Sequence, residues 1–179
     1  MEIEKLAKEF PLRVEWRPFF LRPETPPEGM PLPDYVKARL NDPNDPLKLR
    51  AAREGLVMVR REIIPSTRRA HEAAEFARAA GKVDAMHASL LRRYWTLGED
   101  LWSFATLRAA AVEIGLDPDA LQAALEAGTF RPAVEAAVRE AGELGIHAVP
   151  TFLFDGKLAV QGAQELPVFR QVMQRVLAG

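Results

Sequence analysis

Strand-forming patterns occur only near the two ends of this 179-residue sequence, and this placement constrains the fold more than any other feature. Residues 12–16 alternate between apolar and charged side chains, which predicts a half-buried strand. Residues 151–154 and 157–160 flank Asp155-Gly156, a dipeptide typical of a type I′ hairpin turn. Because the chain between these patterns reads as helix, we expect the ends to meet in one small α/β domain.

The middle of the chain, residues 34–144, has the pattern of an all-helical subdomain in which glycines end successive helices. Asp45, Ser66 and Asp117 each precede a helical pattern and are predicted N-caps. We therefore predict a discontinuous α/β domain of residues 1–33 and 145–179, interrupted by a helical insertion subdomain of residues 34–144.

Outside this block, the apolar spacing predicts one helix at each end of the chain. The first covers residues 2–10 and ends before Pro11, and the last covers about residues 165–177. The last helix places five apolar side chains on one face: Leu166, Phe169, Val172, Met173 and Val176. The proline-rich residues 22–33 are predicted to form an extended connector, and residues 56–64 a short extended segment.

Composition excludes several classes of function. The net charge is −1, and no basic tract indicates a nucleic-acid partner. No apolar run approaches membrane-spanning length, so no membrane partner is expected. The first ten residues are amphipathic and partly acidic, unlike a signal peptide, which makes the cytoplasm the expected compartment.

The sequence contains no cysteine, which excludes a thiol nucleophile, a disulfide and a thiolate metal site within these residues. The histidines His71, His87 and His147 lie far apart and show no metal-ligand spacing. We therefore predict no catalytic nucleophile and no metal site in this chain.

The stretch "GIHAVPTFLFDGKLAVQGAQ" nevertheless resembles the end of the DsbA family, specifically its FrnE-like branch. Ala148 and Gln161 depart from that pattern, where Gly and Ser are usual. Upstream, Thr67, Ala70 and His71 resemble a helix motif of the same family, with Ser66 in place of Asn. The residues that match in the C-terminal stretch are Gly145, Ile146, Val149, Pro150, Thr151, Phe152, Gly162, Ala163 and Gln164.

The resemblance implies a thioredoxin-like, DsbA-type α/β fold with a large all-helical insertion. In that family a first strand leads into a C-x-x-C turn, and a cis Val-Pro loop beside it holds the substrate peptide. Carried over to this sequence, the substrate-binding residues are Val149, Pro150, Ala148 and His147. The Val149–Pro150 bond is then expected to be cis.

By this resemblance the chain begins inside the family's first helix, so the first strand and the C-x-x-C turn have no counterpart. Met1 is an internal or wrongly assigned start, the chain is naturally shortened, or it is a designed truncation; we favour the first. Without the first strand, its neighbours in the sheet would lack partners. We therefore expect a homo-oligomer formed through the unpaired region of the sheet.

Two classes of function follow. The first is a thiol–disulfide oxidoreductase that needs no cofactor and acts on protein or small-molecule disulfides and thiols, if a C-x-x-C lies upstream of Met1. The second is a non-catalytic module that binds peptides or partner chains. A relative of the glutathione-dependent 2-hydroxychromene-2-carboxylate isomerase, with glutathione as cofactor, is a further alternative. The Gly162-Ala163-Gln164 ending favours the FrnE-like branch.

For the histidines and the aromatic residues, a structural role is weighed against a functional one. His147 could tune a thiolate or shuttle a proton, but a solvated loop histidine is the favoured interpretation. For His71, a structural hydrogen bond is favoured over catalysis. Tyr94, Trp95 and Trp102 are expected to pack between helices rather than to line a substrate groove.

Overall fold

The computed structural model describes residues 2–59 and 61–178, with the side chains of all of these except residues 40 and 41. None of the described helices is long and apolar enough to cross a membrane. In chain order the described residues form α1 (Glu2–Leu6), β1 (Met30–Pro31), α2 (Asp34–Asn41), α3 (Pro46–Arg53), β2 (Ile63–Ile64), α4 (Arg68–Ala79), α5 (Val83–Trp95), α6 (Phe104–Glu113), α7 (Pro118–Ala127), α8 (Arg131–Glu143), β3 (Thr151–Phe154), β4 (Leu158–Gln161) and α9 (Leu166–Ala178).

The chain forms two compact units. The first, called the terminal unit here, comprises Met1–Leu21 and Val138–Gly179, and the second, the helical unit, comprises Arg22–Ala137. The domain boundaries expected at residues 33 and 145 stay a prediction.

Helix starts follow the predicted caps in two of three cases. The side chain of Asp45 accepts hydrogen bonds from the N–H groups of Leu47 and Lys48 at the start of α3. Asp117 does the same for the start of α7. The prediction for Ser66 is wrong, because α4 begins one residue later, and its N-cap Thr67 makes no capping bond through its side chain.

The core of the helical unit lies among four helices. α4 packs against α5 and α7, and α6 packs against the same two helices. Small buried side chains, such as Ala73, Ala77, Ala110 and Ala111, face this core. Because an alanine projects so little, the helix axes approach closely, and larger residues such as Leu107 fill the remaining space.

The core of the terminal unit is built around Phe169 on α9. This helix packs against α1 and β3, and Phe169 is 1% exposed. Its ring lies edge-on to Phe152, with centroids 4.9 Å apart, and 6.2 Å from the ring of Phe154. Leu6 of α1 completes the cluster. The apolar face predicted for the last helix is confirmed, since its five residues are buried or half-buried.

The C-terminal hairpin has the turn that Asp155-Gly156 predicts. Both residues have positive φ angles, 50° and 68°, and Lys157 N–H donates to the Phe154 carbonyl at 3.0 Å. Pairing along β4 begins at Leu158 opposite Phe154, one residue later than expected.

The strand predicted over residues 12–16 is wrong. Residues 11–20 form neither helix nor strand, although Leu12 packs against the core of the terminal unit. A strand needs a hydrogen-bonded neighbour, and within the described residues β1 pairs only with β2 and β3 only with β4. Val14 is accordingly 43% exposed, in contrast to the half-buried pattern expected.

A short antiparallel pair, which the sequence did not predict, joins the proline-rich connector to residues 63–64. Met30 of β1 lies opposite Ile64 of β2, and Pro31 lies opposite Ile63. The extended segment expected over residues 56–64 includes Arg60, which lies outside the described residues. Two-residue strands fall below the length that alternation in a sequence can reveal.

Replacing Phe169 with alanine tests the core of the terminal unit. We expect Phe169→Ala to lower the free energy of unfolding by about 3–5 kcal/mol, because it empties a buried aromatic site. The adjacent Val168→Ala, at a position 37% exposed, should change it by about 0.5 kcal/mol or less. Urea denaturation followed by circular dichroism measures both, and equal effects of the two variants would contradict this account.

Candidate functional site

The loop of residues 147–150, called the Val-Pro loop here, begins where α8 ends in a tight reversal. Ile146 N–H donates to the Ala141 carbonyl at 2.9 Å, and Gly145 N–H donates to the Gly142 carbonyl at 3.0 Å. These are the two bonds of a Schellman motif, which needs a left-handed residue after the helix. Gly145 supplies it with φ of 69°, so the chain leaves the helix sharply and enters the loop.

Two further hydrogen bonds hold the other side of the loop. The hydroxyl of Thr151 donates to the Ala148 carbonyl at 2.7 Å, and Gly162 N–H donates to the Pro150 carbonyl at 2.8 Å. The second bond ties the loop to the end of β4. Thr151 and Gly162 both belong to the C-terminal stretch that resembles the family pattern. That they hold the Val-Pro loop in place was not predicted from the sequence.

The middle of the loop faces solvent. Val149 is 48% exposed, His147 and Pro150 are also exposed, and Ala148 is half-buried. The Val149–Pro150 peptide bond is cis. Within the described residues, neither the N–H nor the carbonyl of Val149 makes a hydrogen bond. An exposed backbone donor and acceptor beside a short strand can pair with an extended peptide.

The three histidines differ in exposure. His147 is exposed on the loop in the terminal unit, whereas His71 on α4 and His87 on α5 belong to the helical unit and are half-buried. Burial lowers the pKa of His87, and the nearby charge of Asp84 opposes this shift.

The three aromatic residues near Gly98 have different environments. Tyr94 packs against the helical core, as predicted, and burial raises the pKa of its hydroxyl. Trp95 is 41% exposed, so the expectation of core packing is wrong for this residue. Trp102 is half-buried, and the guanidinium of Arg69 lies over its ring.

Neither a metal-binding cluster nor a thiol is present in the part of the chain that the structure describes. It holds no cluster of three or more His, Asp or Glu side chains able to bind a metal ion, and the sequence has no cysteine. The Val-Pro loop presents exposed residues, but the chain supplies no nucleophilic sulfur.

Comparisons with known proteins extend over nearly the whole chain. The family model of the DSBA-like thioredoxin domain matches residues 1–174. The protein YwbO of Bacillus subtilis (strain 168) is 27% identical over 173 residues, which cover 95% of this chain and 85% of YwbO.

Two solved structures have similar folds. One protein, described as a "probable DsbA oxidoreductase" from Streptomyces coelicolor, is 27% identical, with a TM-score of 0.85 over 99% of this chain and 82% of its own. The other is a 2-hydroxychromene-2-carboxylate isomerase, 20% identical, with a TM-score of 0.76 over 98% of this chain and 86% of its own. At this identity the second likeness concerns the fold alone.

Replacing Gly162 tests how the loop is held. Its φ of 85° is unfavourable for a residue with a Cβ atom, so Gly162→Ala should lower the free energy of unfolding by about 1–2 kcal/mol. Gly142→Ala is the matched control. Gly142 lies in α8, where an added methyl group would meet no atom within 4 Å, and the change should raise the free energy of unfolding by about 0.5–1 kcal/mol. Thermal unfolding of both variants measures the difference. If Gly162→Ala were as stable as the unaltered protein, the positive φ at residue 162 would not require glycine.

Proposed function

Because the chain belongs to the DSBA-like thioredoxin domain family, we propose that the Val-Pro loop is the peptide-binding half of a thiol–disulfide oxidoreductase site. One observation carries this proposal: the exposed loop presents a Val149 backbone whose donor and acceptor are both unpaired within the described residues. The branch we propose is the FrnE-like one, on the strength of the Gly162-Ala163-Gln164 ending.

The predicted fold class is confirmed by the same family match: the chain has the DsbA-type thioredoxin-like fold, rich in helix and with few strands. The predicted division into an inserted helical subdomain and a discontinuous α/β domain remains part of our proposal.

Substrate binding at the loop would use backbone groups. An extended peptide laid beside Val149 could accept from its N–H and donate to its carbonyl, as a strand does at a sheet edge. The proposed contact residues are His147, Ala148, Val149 and Pro150. Backbone pairing of this kind tolerates many side chains, which suits an enzyme that acts on several disulfide substrates.

The exchange chemistry requires a C-x-x-C turn that these 179 residues do not contain. Its first thiolate would attack one sulfur of a substrate disulfide and release the other as a thiolate, leaving a mixed disulfide. Attack by the second cysteine then frees the substrate as a dithiol. The substrate gains two electrons as the C-x-x-C pair is oxidised, and the reverse sequence oxidises a dithiol.

A non-catalytic peptide-binding module is the second candidate, and the lack of cysteine in all 179 residues favours it. The likeness to the 2-hydroxychromene-2-carboxylate isomerase is one of fold, and it gives no support to a glutathione-dependent reaction in this chain.

Exchange activity separates the two candidates. The 179-residue chain should not accelerate the reduction of insulin by dithiothreitol, because it has no thiol. If the upstream reading frame encodes a strand and C-x-x-C, the extended protein should be active, and replacing its first cysteine with serine should abolish the activity. An in-frame stop directly upstream would support the binding module instead, and activity of the 179-residue chain would contradict both candidates.

The role of the loop is tested by replacing Pro150. A proline ring restricts its own φ and the conformation of the residue before it, so Pro150→Ala should leave the Val149 backbone less well oriented. We expect binding of a synthetic six-residue peptide containing one cysteine to weaken about threefold to tenfold, the equivalent of one backbone hydrogen bond.

Pro167→Ala, at an exposed proline in the first turn of α9, serves as the control and should leave affinity unchanged. Nuclear magnetic resonance titration also locates the peptide. Amide N–H shifts are expected at residues 148, 149 and 151, and shifts confined to other residues would contradict the assignment.

A further inference from the structure

The outer edge of β3, the side of the strand that faces away from β4, has no hydrogen-bonding neighbour within the described residues. Gly162 N–H donates to the Pro150 carbonyl, and the bonds between two antiparallel strands recur at every second residue. Phe152 therefore bonds to β4, whereas the N–H and carbonyl groups of Thr151 and Leu153 point to the outer edge.

This outer edge is open and lacks the usual protection against pairing. No described residue hydrogen-bonds to the N–H or carbonyl groups of Thr151 or Leu153, and Leu153 is 45% exposed. Edge strands that avoid pairing often carry a charged residue or a proline. β3 contains neither, whereas the exposed Lys157 directly precedes β4 on the other side of the hairpin. The edge of β3 is therefore suited to pair with another strand.

A second copy of the same strand fits this edge in one register. An antiparallel pair with a two-fold axis at Phe152 places Thr151 of each copy opposite Leu153 of the other. Each of these two residue pairs exchanges two hydrogen bonds, so every outward N–H and carbonyl group of β3 is paired. A register centred on Thr151 or on Leu153 would instead place the other residue opposite a residue outside β3.

The side chains favour the same register. The two copies of Phe152 would face each other across the axis, on the side of the sheet where Phe152 packs against Phe169. On the opposite side, the exposed Leu153 of one copy would contact Thr151 of the other. Aromatic pairs and pairs that include a β-branched residue stabilise neighbouring strands, and no like charges are brought together here.

We propose that the chain forms a two-fold symmetric dimer in which β3 of one copy pairs with β3 of the other, giving one four-stranded antiparallel sheet. The interface is the same surface on both copies, so the assembly closes after two. Every residue involved belongs to the terminal unit. The pairing uses no backbone group of Val149, so the dimer is independent of the peptide-binding role proposed for the Val-Pro loop.

Sedimentation equilibrium of the 179-residue chain, at concentrations from about 10 μM to about 1 mM, tests for the dimer. The measured mass should rise from 19.9 kDa towards twice that value as the concentration increases. A mass of 19.9 kDa at every concentration would overturn the proposal, and so would growth beyond two copies.

Two matched variants test which edge pairs. Leu153→Pro removes an outward N–H that β4 does not use, and should weaken dimerisation at least about tenfold. Ala159→Pro is the control, because Ala159 lies opposite Leu153 on β4 and its N–H points to the other edge of the hairpin. It should dimerise as the unaltered protein does, and equal effects of the two variants would refute the assignment. If circular dichroism shows that a proline variant does not fold, Leu153→Lys and Ala159→Lys give the same comparison.

The register can be measured with a spin label, since the sequence has no cysteine to compete for it. Lys157→Cys provides one labelling position in the exposed turn of each copy. In the proposed sheet the two positions lie three strand spacings of about 4.8 Å apart and are offset by about six residues along the strands, a separation of about 25 Å. Double electron–electron resonance should give a distance of about 20–35 Å, and one above about 45 Å would contradict the register.

Discussion

The burial of Phe169 is the contact on which the terminal unit depends. Its ring joins α9 to β3 through Phe152 and Phe154, and Leu6 of α1 closes the same cluster. Residues from both ends of the chain thus share one small apolar core. The Val-Pro loop enters β3 directly and is tied to the end of β4 by the Gly162 hydrogen bond, so the position of the loop follows from how the hairpin rests on Phe169.

The two units achieve stability by different means. Aromatic packing organises the terminal unit, and a loop held by backbone bonds presents a Val149 backbone that is unpaired among the described residues. In the helical unit, alanines let four helices approach closely.

Features governed by neighbouring residues were predictable from the sequence. The turn at Asp155-Gly156 and the caps at Asp45 and Asp117 occur as expected, because each depends on the local backbone and on one short side chain. The prediction of a strand over residues 12–16 was wrong because a strand depends on more than its neighbouring residues. Alternation describes which side chains are apolar, but a strand also requires a partner, and the described residues provide none there.

The sequence by itself determined the helical block, the hairpin, the apolar face of the last helix and the loop at Val149-Pro150. Periodicity and turn formation depend on residues that are close together in the sequence. Only the tertiary structure decided that the Val149 backbone stays unpaired within the described part of the chain, that Gly162 anchors Pro150, and that Trp95 remains exposed. It alone brought Arg131 to Glu72 and left one carboxylate oxygen without a donor among the described residues. Contacts between residues so distant along the chain depend on how helices pack, which no local pattern specifies.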